Sequence, residues 1–194
     1  MIDYFSDRLS NALVYYKLIG DQEIDEYKYA LICNIESFVS FGSIIILSLV
    51  FQSFIPTLFF LVSFITIRNR SGGFHFDSFI KCYVGTILIY ACVIYIGSLN
   101  YGIRPFNILV ALASVSLLLI GAVNHPNMNY SSEEYTATKE STRLVVVLLD
   151  VVIIIMNYIR FPIKMVIYME MGIIISAILL ILSKLLKQEV KEDG

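Results

Sequence analysis

Apolar residues in this chain gather into long runs, and the charges fall in the intervals between them. A run of about 18 or more apolar residues is long enough to cross a hydrocarbon core as a helix. Six membrane-spanning helices are predicted, over about residues 29–51, 54–67, 79–99, 105–123, 144–159 and 162–186. The second is short. From Pro56 to Ile67 it rises about 18 Å as a helix, against a core of roughly 30 Å. The last two come from one apolar block broken at Asn157–Pro162. Ahead of them, residues 3–18 place Phe5, Leu9, Ala12, Leu13 and Tyr16 at helical spacing, which predicts an amphipathic helix on the membrane surface. The polar stretch from Asn124 to Thr142 reads as a long loop.

The fold class is therefore an all-α integral membrane protein: one membrane domain over residues 1–194, with six transmembrane helices and an N-terminal interfacial helix. Composition agrees. The chain is 58% hydrophobic and 15% charged, whereas soluble domains are about a quarter charged. Met1 to Asp25 contains no apolar signal-peptide core, so insertion is expected through the internal helices.

Charge placement sets the orientation. Six crossings put both termini on one side. That side then carries Arg8, Lys17, Lys28, Arg68, Arg70, Lys81, Lys139, Arg143, Lys184, Lys187 and Lys191, leaving only Arg104, Arg160 and Lys164 opposite. Basic residues mark the cytoplasmic side, so both termini and the loop after the second span are expected in the cytoplasm.

A net charge of −2 gives no reason to expect nucleic acid as a partner, and no phosphate-binding glycine motif is present. No cofactor and no metal are expected. The three cysteines are an odd count. Cys82 and Cys92 share a predicted helix about 15 Å apart, too far for a disulfide. Cys33 and Cys92 read as small packing residues.

Chemistry-capable side chains concentrate in one window: Arg68, Arg70, Ser71, Gly72, Gly73, His75, Asp77, Ser78, Lys81 and Cys82. A cysteine becomes nucleophilic when a histidine, a cation or a helix N-terminus stabilises its thiolate. Asp77 or Ser78 is a natural N-cap for the third span, with Cys82 just past its first turn. In one continuous helix His75 and Cys82 would stand about 10.5 Å apart, beyond hydrogen-bond reach. A working pair therefore needs His75 in the preceding loop, folded back through Gly72-Gly73, whose missing Cβ atoms permit a tight reversal. Residue chemistry alone leaves open whether Cys82 is a nucleophile or a packing residue, and whether His75 is a base or an interfacial side chain.

Supporting roles divide similarly. Arg68 and Arg70 read either as cytoplasmic-side residues meeting lipid phosphates or as anchors for an acidic part of a substrate. Asp77 and Ser78 read mainly as caps, and Lys81 as an interfacial cation. Glu36 lies two turns into the first span and is a candidate third member of the site or a partner for Arg70. Asp150 and Glu170 are further ionisable residues in apolar spans, and His125 is a reserve candidate for the base.

The stretch R-x-R-x-G-G-F-H-x-x-S-x-x-x-C, from Arg68 to Cys82, resembles the signature of the AgrB (accessory gene regulator B) family of bacterial membrane endopeptidases. The hydrophobic layout resembles that family over nearly the whole chain. One departure is Gly121-Ala122-Val123, where the family often has Ala-Pro-Val. The resemblance implies a bacterial cell-membrane enzyme with its active site on the cytoplasmic side. It implies that Cys82, with His75 as general base, cleaves a quorum-sensing propeptide through a thioester. An internal Cys or Ser of the peptide then closes a thiolactone or lactone ring. The implied partners are a signalling propeptide with an amphipathic leader, the lipid bilayer, and a second copy as a homodimer. Two rival functions are a small peptide transporter, which needs polar residues along a continuous path, and a non-catalytic membrane scaffold, in which Cys82 is inert.

Overall fold

The computed structural model of the chain describes residues 2–20, 24–74, 78–99, 104–124 and 131–187. Those residues form seven helices and no strand: α1 (Ile2–Tyr15), α2 (Ile24–Val50), α3 (Phe54–Ser71), α4 (Phe79–Ser98), α5 (Arg104–Ile120), α6 (Ser132–Tyr158) and α7 (Ile163–Leu185). Among them, α4, α6 and α7 are long and apolar enough to cross a membrane. Shorter apolar helical stretches occupy Ile35–Val50 and Pro105–Ile120.

The chain divides into two compact units. The first comprises Met1–Leu47 and Asp77–Tyr90, hence α1, most of α2 and the first half of α4. Lys28 and Asp7 form an ion pair at 2.6 Å between α2 and α1. Both side chains are well exposed, so this pair contributes at most about 1 kcal/mol. The hydroxyls of Ser43 and Tyr83 are hydrogen-bonded at 2.9 Å and join α2 to α4. On α1 the small Ser6 and Ser10 are covered, while Leu9 and Tyr15 are exposed. An exposed apolar side suits a helix lying against lipid.

The second unit comprises Ser48–Phe76 and Ala91–Gly194. Here α7 is central and packs against α3, α5 and α6, while α3 and α5 each also pack on α6. Every residue of α7 from Val166 to Ile173 is buried, as expected of a helix that is apolar all round. The core joins Val110, Ala113 and Leu117 of α5, Val146, Leu149 and Ile153 of α6, and Val166, Met169, Ile173, Ala177 and Leu180 of α7. Helices α3 and α7 meet at close quarters. Ser63 Oγ donates to Met169 O at 2.9 Å, and Gly172 presents no side chain to block it. Small residues at a crossing are the usual route to tight packing in membrane bundles.

Three boundaries differ from the apolar pattern. Helix α2 starts at Ile24, in the charged residues ahead of the span predicted from about residue 29. Helix α3 runs on to Ser71, so Arg68 and Arg70 are helical, in a last turn where cations favour the helix dipole. Helix α6 starts at Ser132, inside the stretch read as a loop. The reason is local. Ser131 and Glu134 form a reciprocal capping box, with Ser131 N–H donating to Glu134 Oε2 at 2.9 Å and Glu134 N–H donating to Ser131 Oγ at 3.3 Å. At the other end Arg160 adopts φ 55° and Pro162 stands at the N-cap of α7. Proline cannot continue a helix, so the chain turns there.

Candidate functional site

The arginine-rich end of α3 leads into a short loop built around two glycines. Gly72 ends the helix at φ 66°, with its N–H donating to Arg68 O at 3.2 Å. Gly73 follows at φ 129°. Both values favour glycine. Arg68 reaches forward over this loop: its Nη1 donates to Gly72 O at 2.6 Å and its Nη2 to Phe74 O at 2.5 Å.

Two other segments hold the same loop. Phe74 N–H donates to Leu179 O of α7 at 3.0 Å, and Val123 N–H donates to Ser71 O at 2.9 Å. The Val123 segment is itself fastened, because Tyr135 Oη of α6 donates to Ala122 O at 3.1 Å. Lys139 lies 4.0 Å from the centre of the Tyr135 ring. Arg70 serves elsewhere. It donates from Nε to Ser141 Oγ of α6 at 3.0 Å and from Nη1 to Thr66 O at 2.9 Å.

Cys82 belongs to the first unit. Helix α4 begins at Phe79, so Ser78 already lies outside it. Cys82 N–H donates to Ser78 O at 3.1 Å, the first helical bond. Cys82 thus sits in the first turn or so of α4, where the helix dipole favours a thiolate. It is partly buried and in no disulfide. The next residue, Tyr83, is held by Ser43 and packs its ring 5.7 Å from that of Phe79.

The remaining candidates are distributed as follows. His75, Asp77 and the reserve base His125 lie outside the described residues. Glu36 is partly buried on α2, in the same unit as Cys82. Lys81 and Cys92 are exposed on α4. Asp150 on α6 accepts a hydrogen bond from Ser114 Oγ of α5 at 2.8 Å. Glu170 is fully buried, and neither carboxyl oxygen has a hydrogen-bond partner among the described residues. No group of three or more metal-ligating side chains occurs among the described residues.

Sequence reasoning did not foresee the contributions of Val123, Tyr135 and Leu179. Each acts through a backbone group or a tertiary contact, which leaves no mark in local composition. Only the Ser131-x-x-Glu134 box, which starts α6 and so presents Tyr135, has a readable signature.

These features define an all-helical membrane protein with a cysteine at the head of one helix and an arginine-braced glycine loop at the tail of another. The chain belongs to the AgrB (accessory gene regulator B) family, which it matches over residues 6–186. Membership makes it a membrane protein of the accessory gene regulator system, a family associated with processing of a quorum-sensing propeptide. No curated protein and no solved structure matches it.

Proposed function

We propose that the protein is a membrane cysteine endopeptidase that cleaves the C-terminal part of a signalling propeptide and releases a cyclic thiolactone or lactone. The observation that carries this reading is the position of Cys82 at the amino-terminal end of α4, in a chain that matches the family over almost its full length. The same reading includes six crossings with both termini in the cytoplasm, a cytoplasmic active site and a homodimer.

In this mechanism His75 takes the Cys82 proton, and the thiolate attacks the scissile carbonyl. The C–N bond breaks, and the leaving amine receives the proton from His75. The acyl group remains on Cys82 Sγ as a thioester. A thiol or hydroxyl within the same peptide gives its proton to His75 and attacks that carbonyl. Cys82 leaves as thiolate and the ring closes. Exchange of one thioester for another is nearly even in energy, so ring closure to a thiolactone needs no nucleotide. Exclusion of water from the acyl-enzyme favours cyclisation over hydrolysis.

The test is cleavage of a synthetic propeptide by purified protein in liposomes. Cys82→Ala and His75→Ala are expected to abolish it, with wild-type protein showing a covalent thioester adduct by mass spectrometry. Full cleavage by Cys82→Ala would rule the reading out.

A further inference from the structure

We propose that Arg68 is a positioning residue of this site: its guanidinium fixes the glycine loop that immediately precedes His75 in the chain, rather than gripping the substrate. The proposal rests on the peptidase reading above and adds a role for the first arginine of the motif.

The geometry is specific to arginine. A guanidinium is a rigid planar fork with several donors, whereas a lysine ammonium is a compact point charge. Arg68 uses two different nitrogens on two carbonyls, those of Gly72 and Phe74. The residue between them, Gly73, is buried. A Cβ on Gly73 would lie 1.9 Å from Arg68 Nη1. The guanidinium therefore occupies the space that any other residue at 73 would fill. Arginine and glycine fit as lock and key across five positions of chain.

The loop is held on three sides. Arg68 braces it from α3. Leu179 O receives the Phe74 N–H from α7, and Val123 N–H binds Ser71 O from the segment after α5. A Cβ on Gly72 would come within 3.1 Å of Val123 O, so that side is close-packed as well. The residue after this braced segment is His75. Four consecutive residues, Ser71 to Phe74, thus have a hydrogen bond or a close contact that fixes them. A catalytic side chain misplaced by about 1 Å can lose about 100-fold in rate, which is the reason to hold its loop so firmly. An arginine whose fork is engaged with two backbone carbonyls is poorly disposed to anchor a substrate carboxylate.

The deciding experiment measures kcat and KM in liposomes for wild type, Arg68→Lys and Gly73→Ala. Two synthetic propeptides are used, one with its natural tail and one with the acidic tail residues replaced by amides. Positioning predicts that Arg68→Lys loses about 100-fold in kcat on both peptides, with KM changed by less than about threefold. Gly73→Ala keeps the arginine but displaces its head, and is expected to show the same pattern. A second readout is the pH profile of Cys82 alkylation in a Cys33→Ala/Cys92→Ala background. Arg68→Lys should shift it to match His75→Ala, a change that a loss of general stability would not produce. Normal kcat with raised KM in Arg68→Lys, or a defect that vanishes on the amide-tailed peptide, overturns the proposal in favour of a substrate anchor. So does an alkylation profile unchanged by both variants. Cleavage by Cys82→Ala would instead overturn the peptidase reading itself, so the two failures are distinguishable.

Discussion

Arg70 Nε donates to Ser141 Oγ at 3.0 Å, linking the last turn of α3 to α6. The two arginines of the motif, two residues apart, therefore face different tasks. Arg68 braces the loop; Arg70 joins two helices. The bond is partly buried, and a hydrogen bond to a charged group contributes about 1.5–3 kcal/mol when well shielded. Ser141→Ala and Arg70→Ala are each expected to lower thermal stability in detergent. The double variant should show a coupling of about 1 kcal/mol. Strict additivity would mean that the two side chains act independently.

The start of α6 depends on one serine. Ser131→Ala removes an N-cap and half of the capping box, at an expected cost of about 1 kcal/mol. Tyr135 lies on the following turn and holds Ala122 O, so the consequence should spread beyond the helix end. Hydrogen exchange is expected to accelerate at residues 132–135 and at Val123 together. Acceleration confined to the helix terminus would show that the two are not linked.

Gly172 of α7 packs directly against α3. A Cβ there would lie 2.0 Å from Ser63 Oγ and 2.8 Å from Phe60 O. Overpacking of this kind costs about 1–3 kcal/mol, so Gly172→Ala should lower the Tm. Adding Ser63→Ala removes the hydroxyl but leaves the Phe60 carbonyl in place. Partial rescue is therefore expected, and complete rescue would place the strain on Ser63 alone.

Glu170 is a buried carboxyl group in the core of the second unit. It is fully buried, and both oxygens lack a hydrogen-bond partner among the described residues. An unsatisfied buried polar group costs about 1–3 kcal/mol, and an apolar replacement of similar volume often stabilises. Glu170→Met should raise the Tm. A fall would reveal a partner that the carboxyl depends on.

Much of this architecture was legible without tertiary information. Long apolar runs bounded by charge identify α4, α6 and α7 as helices able to cross a membrane, because partition into hydrocarbon depends on each segment's own composition. The place of Cys82 at the head of α4 was legible too, since the apolar run that forms this helix begins at Phe79; its role as nucleophile belongs to the proposal. Helix ends were less so. The α6 start was hidden by its polar composition, although Ser131-x-x-Glu134 signals it. The continuation of α3 through Arg68 and Arg70 was hidden because polar residues after an apolar run look like loop.

By itself, the sequence determined the helical class, the family motif and the residue types that stand near Cys82 along the chain. These follow from periodicity, hydropathy and spacing, which a segment expresses alone. The tertiary structure decided what those residues do beyond their type. It gave Arg68 to Gly72 and Phe74, Arg70 to Ser141, and Phe74 to Leu179, more than a hundred positions along the chain. Each such bond is worth only about 1–3 kcal/mol. Its partner is set by how whole helices pack, and no local pattern in the chain encodes that choice.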